Sequence, residues 1–148
     1  MKKKLLLIGP KNSGKTTLAN YLEGNQEKAT KKAHIVYKKE TIDTPSTYLE
    51  SPWMRQHLIS LQQSAYLGLF LLPLSTKKRS YPPGFSQVFR IPLIGVVTYT
   101  THDVVTQEAK LKATKQLNEI GKFETIIFLN IEDIKGIDRV IKFYQERR

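Results

Sequence analysis

The stretch Gly9-Pro10-Lys11-Asn12-Ser13-Gly14-Lys15-Thr16 decides how this chain of 148 residues is read. It fits the pattern G-x-x-x-x-G-K-[ST] in full, and it stands between two segments of opposite periodicity. On its N-terminal side, Leu5–Ile8 is a continuous apolar run, suited to a strand buried on both faces of a sheet. On its C-terminal side, Thr16–Leu22 has helical apolar spacing and stops at Gly24-Asn25. A Gly-rich loop between strand and helix can curl its backbone N–H groups around phosphate oxygens, and the helix N-terminus adds its positive dipole end. Lys15 is then expected at the β- and γ-phosphates as the one catalytic side chain, and the Thr16 hydroxyl on Mg²⁺. Gly9, Lys11, Asn12, Ser13, Gly14 and Thr17 complete the expected phosphate cradle.

Further buried strands follow outward from this loop, at Ala65–Leu72, Leu93–Thr98 and Thr125–Leu129, with an edge strand at His34–Tyr37. Helices are expected from Ser51-Pro52 to about Gln63, over Val104–Ile120 closed by Gly121, and from a cap at Asp133 through Tyr144. Lys77–Pro83 reads as a loop. Strands alternating with helices predict an α/β domain, a mostly parallel sheet covered on both faces, with residues 1–148 forming one unit.

Composition narrows the function classes. The chain has no cysteine, which excludes disulfides, thiolate metal sites and a cysteine nucleophile, and which suits a reducing cytosol. The longest apolar stretch, Ala65–Leu74, is about half of what a bilayer span requires, so no membrane role is expected. The apolar run behind Met1–Lys4 is too short for a signal-peptide core. Lys and Arg number 24 against 13 Asp and Glu, a formal charge of +11. Its clusters, at Lys2–Lys4, Lys28–Lys39 and Lys77–Arg79, carry few interleaved aromatics to stack bases. The excess is therefore read as a basic rim on a nucleotide face, suited to an acidic protein partner, and nucleic acid is not the expected ligand.

Thr41-Ile42-Asp43-Thr44-Pro45-Ser46 is the second motif, in which Asp43 ends a short β-rich segment and can hold Mg²⁺ through water opposite Thr16. No catalytic base is evident, because His34, His57 and His102 are scattered.

With both motifs, the chain resembles the Ras-like P-loop NTPases and, within them, the EutP/PduV family. The likeness rests on the loop near the N-terminus, Leu22-Glu23-Gly24-Asn25, Ile42-Asp43-Thr44-Pro45 followed by Tyr48, Leu58-Ile59 with Leu61-Gln62, and Ile127-Phe128-Leu129-Asn130. The resemblance implies a three-layer Ras-like domain, ATP or GTP with Mg²⁺, and a place in bacterial ethanolamine or propanediol catabolism. It also implies a cytoplasmic location on or near a microcompartment, with slow hydrolysis, acetate-kinase-type phosphoryl transfer, or a non-catalytic accessory role docking on shell or enzyme proteins.

The same comparison isolates departures. Where the superfamily has Asp-x-x-Gly followed by Gln, this chain has Ser46 and Thr47. Where it has Asn-Lys-x-Asp, this chain has Thr100-Thr101-His102-Asp103, so only Asp103 is left to read guanine. Thr101 and Asp103 are equally candidates to cap the following helix. Asn130 is placed to contact a base from its other side, and Thr30 or Thr41 is a candidate switch ligand to the metal.

Overall fold

A computed structural model describes residues 3–24, 35–76 and 79–147. Asn25, Lys28, Thr30, His34, Lys77 and Lys78, on which several of the expectations above fall, lie outside the described residues. β1 (Lys4–Ile8) is the centre of the sheet, with β3 (Thr41–Asp43) on one side and β4 (Ala65–Pro73) on the other, both parallel to it. β5 (Leu93–Tyr99) and β6 (Thr125–Asn130) extend the parallel ladder beyond β4. β2 (Val36–Tyr37) is a short antiparallel edge beside β3, giving the order β2-β3-β1-β4-β5-β6.

The apolar runs of β1, β4 and β5 are continuous because each strand supplies two cores at once, one per face. Leu5, Leu7, Leu67, Leu69, Leu71, Ile94 and Val96 pack against Leu18 and Ala19 of α1 (Lys15–Leu22) and Ile137 and Ile141 of α5 (Ile137–Arg147). Leu6, Ile8, Phe70, Leu72, Leu93 and Val97 face the other way. They meet Leu49 of α2 (Thr47–Glu50), Leu58 of α3 (Pro52–Ser60), and Ala113, Leu117 and Ile120 of α4 (Gln107–Ile120). The three layers of the expected α/β arrangement are present.

Three helix boundaries, and the manner of one cap, differ from the sequence reading. α4 starts at Gln107 rather than Val104, because Thr106 is its cap: the Thr106 hydroxyl accepts from Ala109 N at 3.0 Å. Val104 and Val105 instead lie exposed ahead of it, and neither Thr101 nor Asp103 caps this helix. Ser51 precedes α3 as expected, but its main-chain carbonyl, not its hydroxyl, accepts from Met54 and Arg55. α3 ends at Ser60 and gives way to a 3₁₀ turn over Leu61–Ser64. Asp133 makes no side-chain cap and precedes a 3₁₀ turn, Ile134–Gly136, from which α5 continues.

A buried phenol fixes the root of the phosphate loop. The Tyr81 hydroxyl lies 2.9 Å from Ile8 O and 2.7 Å from Leu71 O, joining the C-terminal ends of β1 and β4. Burial raises its pKa well above the ordinary value, so the phenol is neutral in the fold. Tyr81→Phe is expected to cost about 1–3 kcal/mol in urea unfolding, since buried acceptors lose their donor. The sign of the pH effect follows. Tyr81's stabilisation is fully present below the unfolded-state pKa, near 10, and is lost as pH rises beyond it. Above that pH, stability falls less steeply in the Phe variant than in the parent chain.

Candidate functional site

Residues 9–14 leave the C-terminal end of β1 at the point where the chain changes its direction of travel across the sheet, the crevice in which open α/β sheets bind ligands. The glycines there are demanded by space and by dihedral angle. A Cβ on Gly9 would stand 2.6 Å from Ser13 Oγ and 3.0 Å from Leu71 Cβ. Gly14 has φ +81°, and a Cβ would meet the Ile131 side chain at 2.8 Å. Asn12 shares the left-handed region at φ 65°, a conformation that Asn tolerates better than most residues. The loop is also held from outside. Thr98 Oγ1 donates to Ser13 O at 2.8 Å, and Thr44 Oγ1 donates to Leu7 O at 2.7 Å just beneath it.

These elements border a cavity of about 630 Å³. Lys11, Asn12, Ser13, Gly14, Lys15, Thr16, Thr17 and Asp103 all line it. Gly9, Asp43 and Asn130 do not line it, although Asp43 is 3.8 Å from the Lys15 ammonium and Asn130 directly precedes Ile131, which does. His57 and His102 do not line it.

Lys15 is the electrostatic centre. Its side chain is buried, its ammonium makes no hydrogen bond among the described residues, and its acidic neighbour, Asp43 Oδ1, is 3.8 Å away. Burial lowers the Lys15 pKa while the Asp43 charge partly restores it. A desolvated cation at a helix start, beside a cavity lined by the loop that precedes it, favours an anion as its partner. Thr16 and Asp43 offer hard oxygen donors on either side of it, a set that fits Mg²⁺ bound together with phosphate oxygens and water.

At the other end of the cavity, the segment after β5 forms a tight turn. Asp103 Oδ2 accepts from Thr100 N at 2.7 Å and Thr100 Oγ1 at 3.3 Å. Glu132 Oε1 accepts from Thr101 N at 2.8 Å, a bond that holds its carboxyl below the usual range. Asn130 Oδ1 accepts from Glu132 N at 2.9 Å. Sequence reading missed Thr98, Ile131 and Glu132. Thr98 carries a signal in retrospect, a hydroxyl ending an otherwise apolar strand, whereas Ile131 and Glu132 carry none.

A family model described as ethanolamine utilisation – propanediol utilisation matches residues 2–146. The chain belongs to the PduV-EutP family. Propanediol utilization protein PduV of Citrobacter freundii is 29% identical over 145 residues, spanning 88% of this chain and 95% of its own. A probable acetate kinase EutP of Salmonella typhimurium is 30% identical over 144 residues, spanning 95% of this chain and 88% of its own. Among solved structures, Era of Aquifex aeolicus bound to GDP·AlF₄⁻ superposes with a TM-score of 0.64 at 16% identity, over 98% of this chain and 57% of Era. That likeness shows the fold, a Ras-like parallel sheet, and not the ligand. In this PduV-EutP chain Ser46 and Thr47 both line the cavity, next to Thr44 and Pro45. No described helix is long and apolar enough to cross a membrane.

Proposed function

We propose that this PduV-EutP protein binds the Mg²⁺ complex of a nucleoside triphosphate and acts in ethanolamine or propanediol utilisation. The observation that carries the reading is the buried Lys15 ammonium, held at the mouth of a glycine-shaped loop with no hydrogen-bond acceptor among the described residues. Lys15 takes the β- and γ-phosphate oxygens, the amides of residues 11–16 surround them, and Thr16 and Asp43 hold the metal, Asp43 through water. Mg²⁺ supplies charge neutralisation on the phosphates when bound.

Reaction at the γ-phosphorus forms a bond to an incoming oxygen and breaks the bridging P–O bond, releasing nucleoside diphosphate. This chain contributes position and positive charge rather than a general base, which supports slow turnover. With water as the nucleophile the reaction is hydrolysis, and Thr47, which lines the cavity, takes the sequence position of the superfamily's water-orienting Gln. A second reading, transfer to a small carboxylate, is favoured by the likeness to the probable acetate kinase EutP. In the third, a non-catalytic accessory role, Ser46 and Thr47 take the place of a hydrolytic switch and the nucleotide only sets a docking state. The basic rim suits an acidic face of a microcompartment shell or enzyme protein, in the cytoplasm.

Calorimetric titration with MgATP and MgGTP tests the binding. Saturable heat with at least one is expected, and none with either, in a protein whose circular dichroism is that of a folded α/β chain, overturns the reading.

A further inference from the structure

The two edges of the sheet are built differently. β2 closes one of them with two residues, Val36–Tyr37, and Lys38 and Lys39 follow at once. A short strand beside lysines is a poor template for another chain, because it offers little backbone and its charges resist desolvation. β6 forms the other edge with six residues, Thr125-Ile126-Ile127-Phe128-Leu129-Asn130, which include no charge and no proline. Among the described residues it pairs with β5 alone, so its outward N–H and C=O groups meet no further strand.

The side chains around this edge are apolar and only partly covered. Ile126 and Phe128 face the α4 layer and Ile127 faces the α5 layer, and all three are half-buried, whereas β1, β4 and β5 are almost wholly buried. On α5, Asp138 accepts from the Tyr21 hydroxyl at 2.8 Å and so marks the flank toward α1, which lies over β1 and β3. The helical period puts Phe143 on the opposite flank, the β6 side, where it is 51% exposed.

Of the residues outside the described ones, only 25–34 are numerous enough to pair along β6, and they join α1 to β2 at the opposite edge. A second copy, by contrast, fits through symmetry. An antiparallel pair about a two-fold axis at Ile127 sets Ile126 opposite Phe128, a β-branched side chain against an aromatic ring, and Ile127 opposite itself. Lys122 and Glu132 lie equally far from Ile127 along the chain, so each end of such a pair brings opposite charges together.

We propose that β6 is an interface between two copies of this chain, which join edge to edge into one continuous sheet, with the α5 helices meeting through Phe143. Nucleotide is not required for this pairing.

Sedimentation equilibrium of the full chain without nucleotide, at micromolar concentrations, should return a dimer. A monomer throughout, or an assembly that keeps growing with concentration, overturns the proposal. Thr125→Lys and Phe143→Lys place charges on the exposed edge, and each should raise the dimer dissociation constant by about tenfold or more while the circular dichroism stays that of the parent. Trp53→Lys is the control, since Trp53 is 82% exposed on α3, and this variant should dimerise as the parent does. Edge variants that dimerise as tightly as the parent overturn the choice of surface, as does a Trp53 variant that falls to monomers. The chain has no cysteine, so Ile127→Cys introduces a single thiol, and directly opposed residues of an antiparallel pair stand within disulfide reach. Mild oxidation should turn this variant into a covalent dimer. A dimeric Ile127→Cys variant that stays uncross-linked overturns the antiparallel pairing.

Discussion

Lys15→Ala should weaken nucleotide binding by roughly one to two orders of magnitude. The substitution removes a charge-assisted contact to phosphate worth about 1.5–3 kcal/mol, and it removes it from a site where desolvation has already been met in the folded chain. A loss of roughly tenfold to 150-fold in affinity follows from that range. Folding itself should not suffer, because burial already disfavours the Lys15 charge in the unliganded chain. The variant should therefore unfold at the same or a slightly higher urea concentration while its titration midpoint moves to higher nucleotide concentration. Thermal shift by the bound Mg²⁺ nucleotide at a fixed concentration, clear in the parent and much reduced in the variant, is a second readout. Parent-like affinity in the variant would mean that the loop is an ordinary turn. The same burial predicts a pH effect. Lys15 loses its proton at a lower pH than an exposed lysine, so phosphate affinity should begin to fall on the alkaline side before other lysines titrate.

Phe70→Ala should be the most destabilising single truncation. Phe70 is fully buried in β4, stacked on Tyr81 with centroids 5.3 Å apart and met edge-on by Phe89 at 5.3 Å and Phe123 at 5.6 Å. Truncating such a ring costs about 3–5 kcal/mol, since neighbours on three sides cannot all collapse into the space. That is a large part of the roughly 5–15 kcal/mol that stabilises a domain. Melting should fall by roughly 10 °C, measured by circular dichroism. Because Tyr81 leans on Phe70 and bonds the carbonyls at the root of the loop, saturating nucleotide should recover part of the loss. A cost below about 1 kcal/mol would show that this aromatic cluster repacks freely.

What could be read from the sequence was whatever is written contiguously. The eight residues of the phosphate loop, and the uninterrupted apolar runs of β1, β4 and β5, announce themselves because loop chemistry and two-faced burial are local demands. β3 was legible only as a short β-rich segment ending at Asp43, since Thr41–Asp43 holds a single apolar residue and its place in the sheet comes from pairing with β1. Val104 and Val105 misled in the opposite direction: two apolar side chains extended the helical pattern, yet they are solvent-exposed and Thr106 sets the start of α4. At the far end of the cavity, Asp103 was legible as a candidate, and its bond to Thr100 is local, but the bond between Thr101 and Glu132 joins segments distant in sequence, and no pattern along the chain records it.

Ile131 occupies a position with a consequence for how affinity is built. Its side chain lies against Gly14 of the phosphate loop and lines the cavity, while its neighbours Asn130 and Glu132 form the turn that follows β6. The phosphate loop and the turn after β6 thus share one wall. Free energies of binding measured for a nucleoside and for inorganic triphosphate should not sum to that of the whole nucleotide. A substitution at residue 131 should move the grip on the phosphates and the choice of base together, so that a double-mutant cycle between positions 131 and 14 returns a non-zero coupling energy.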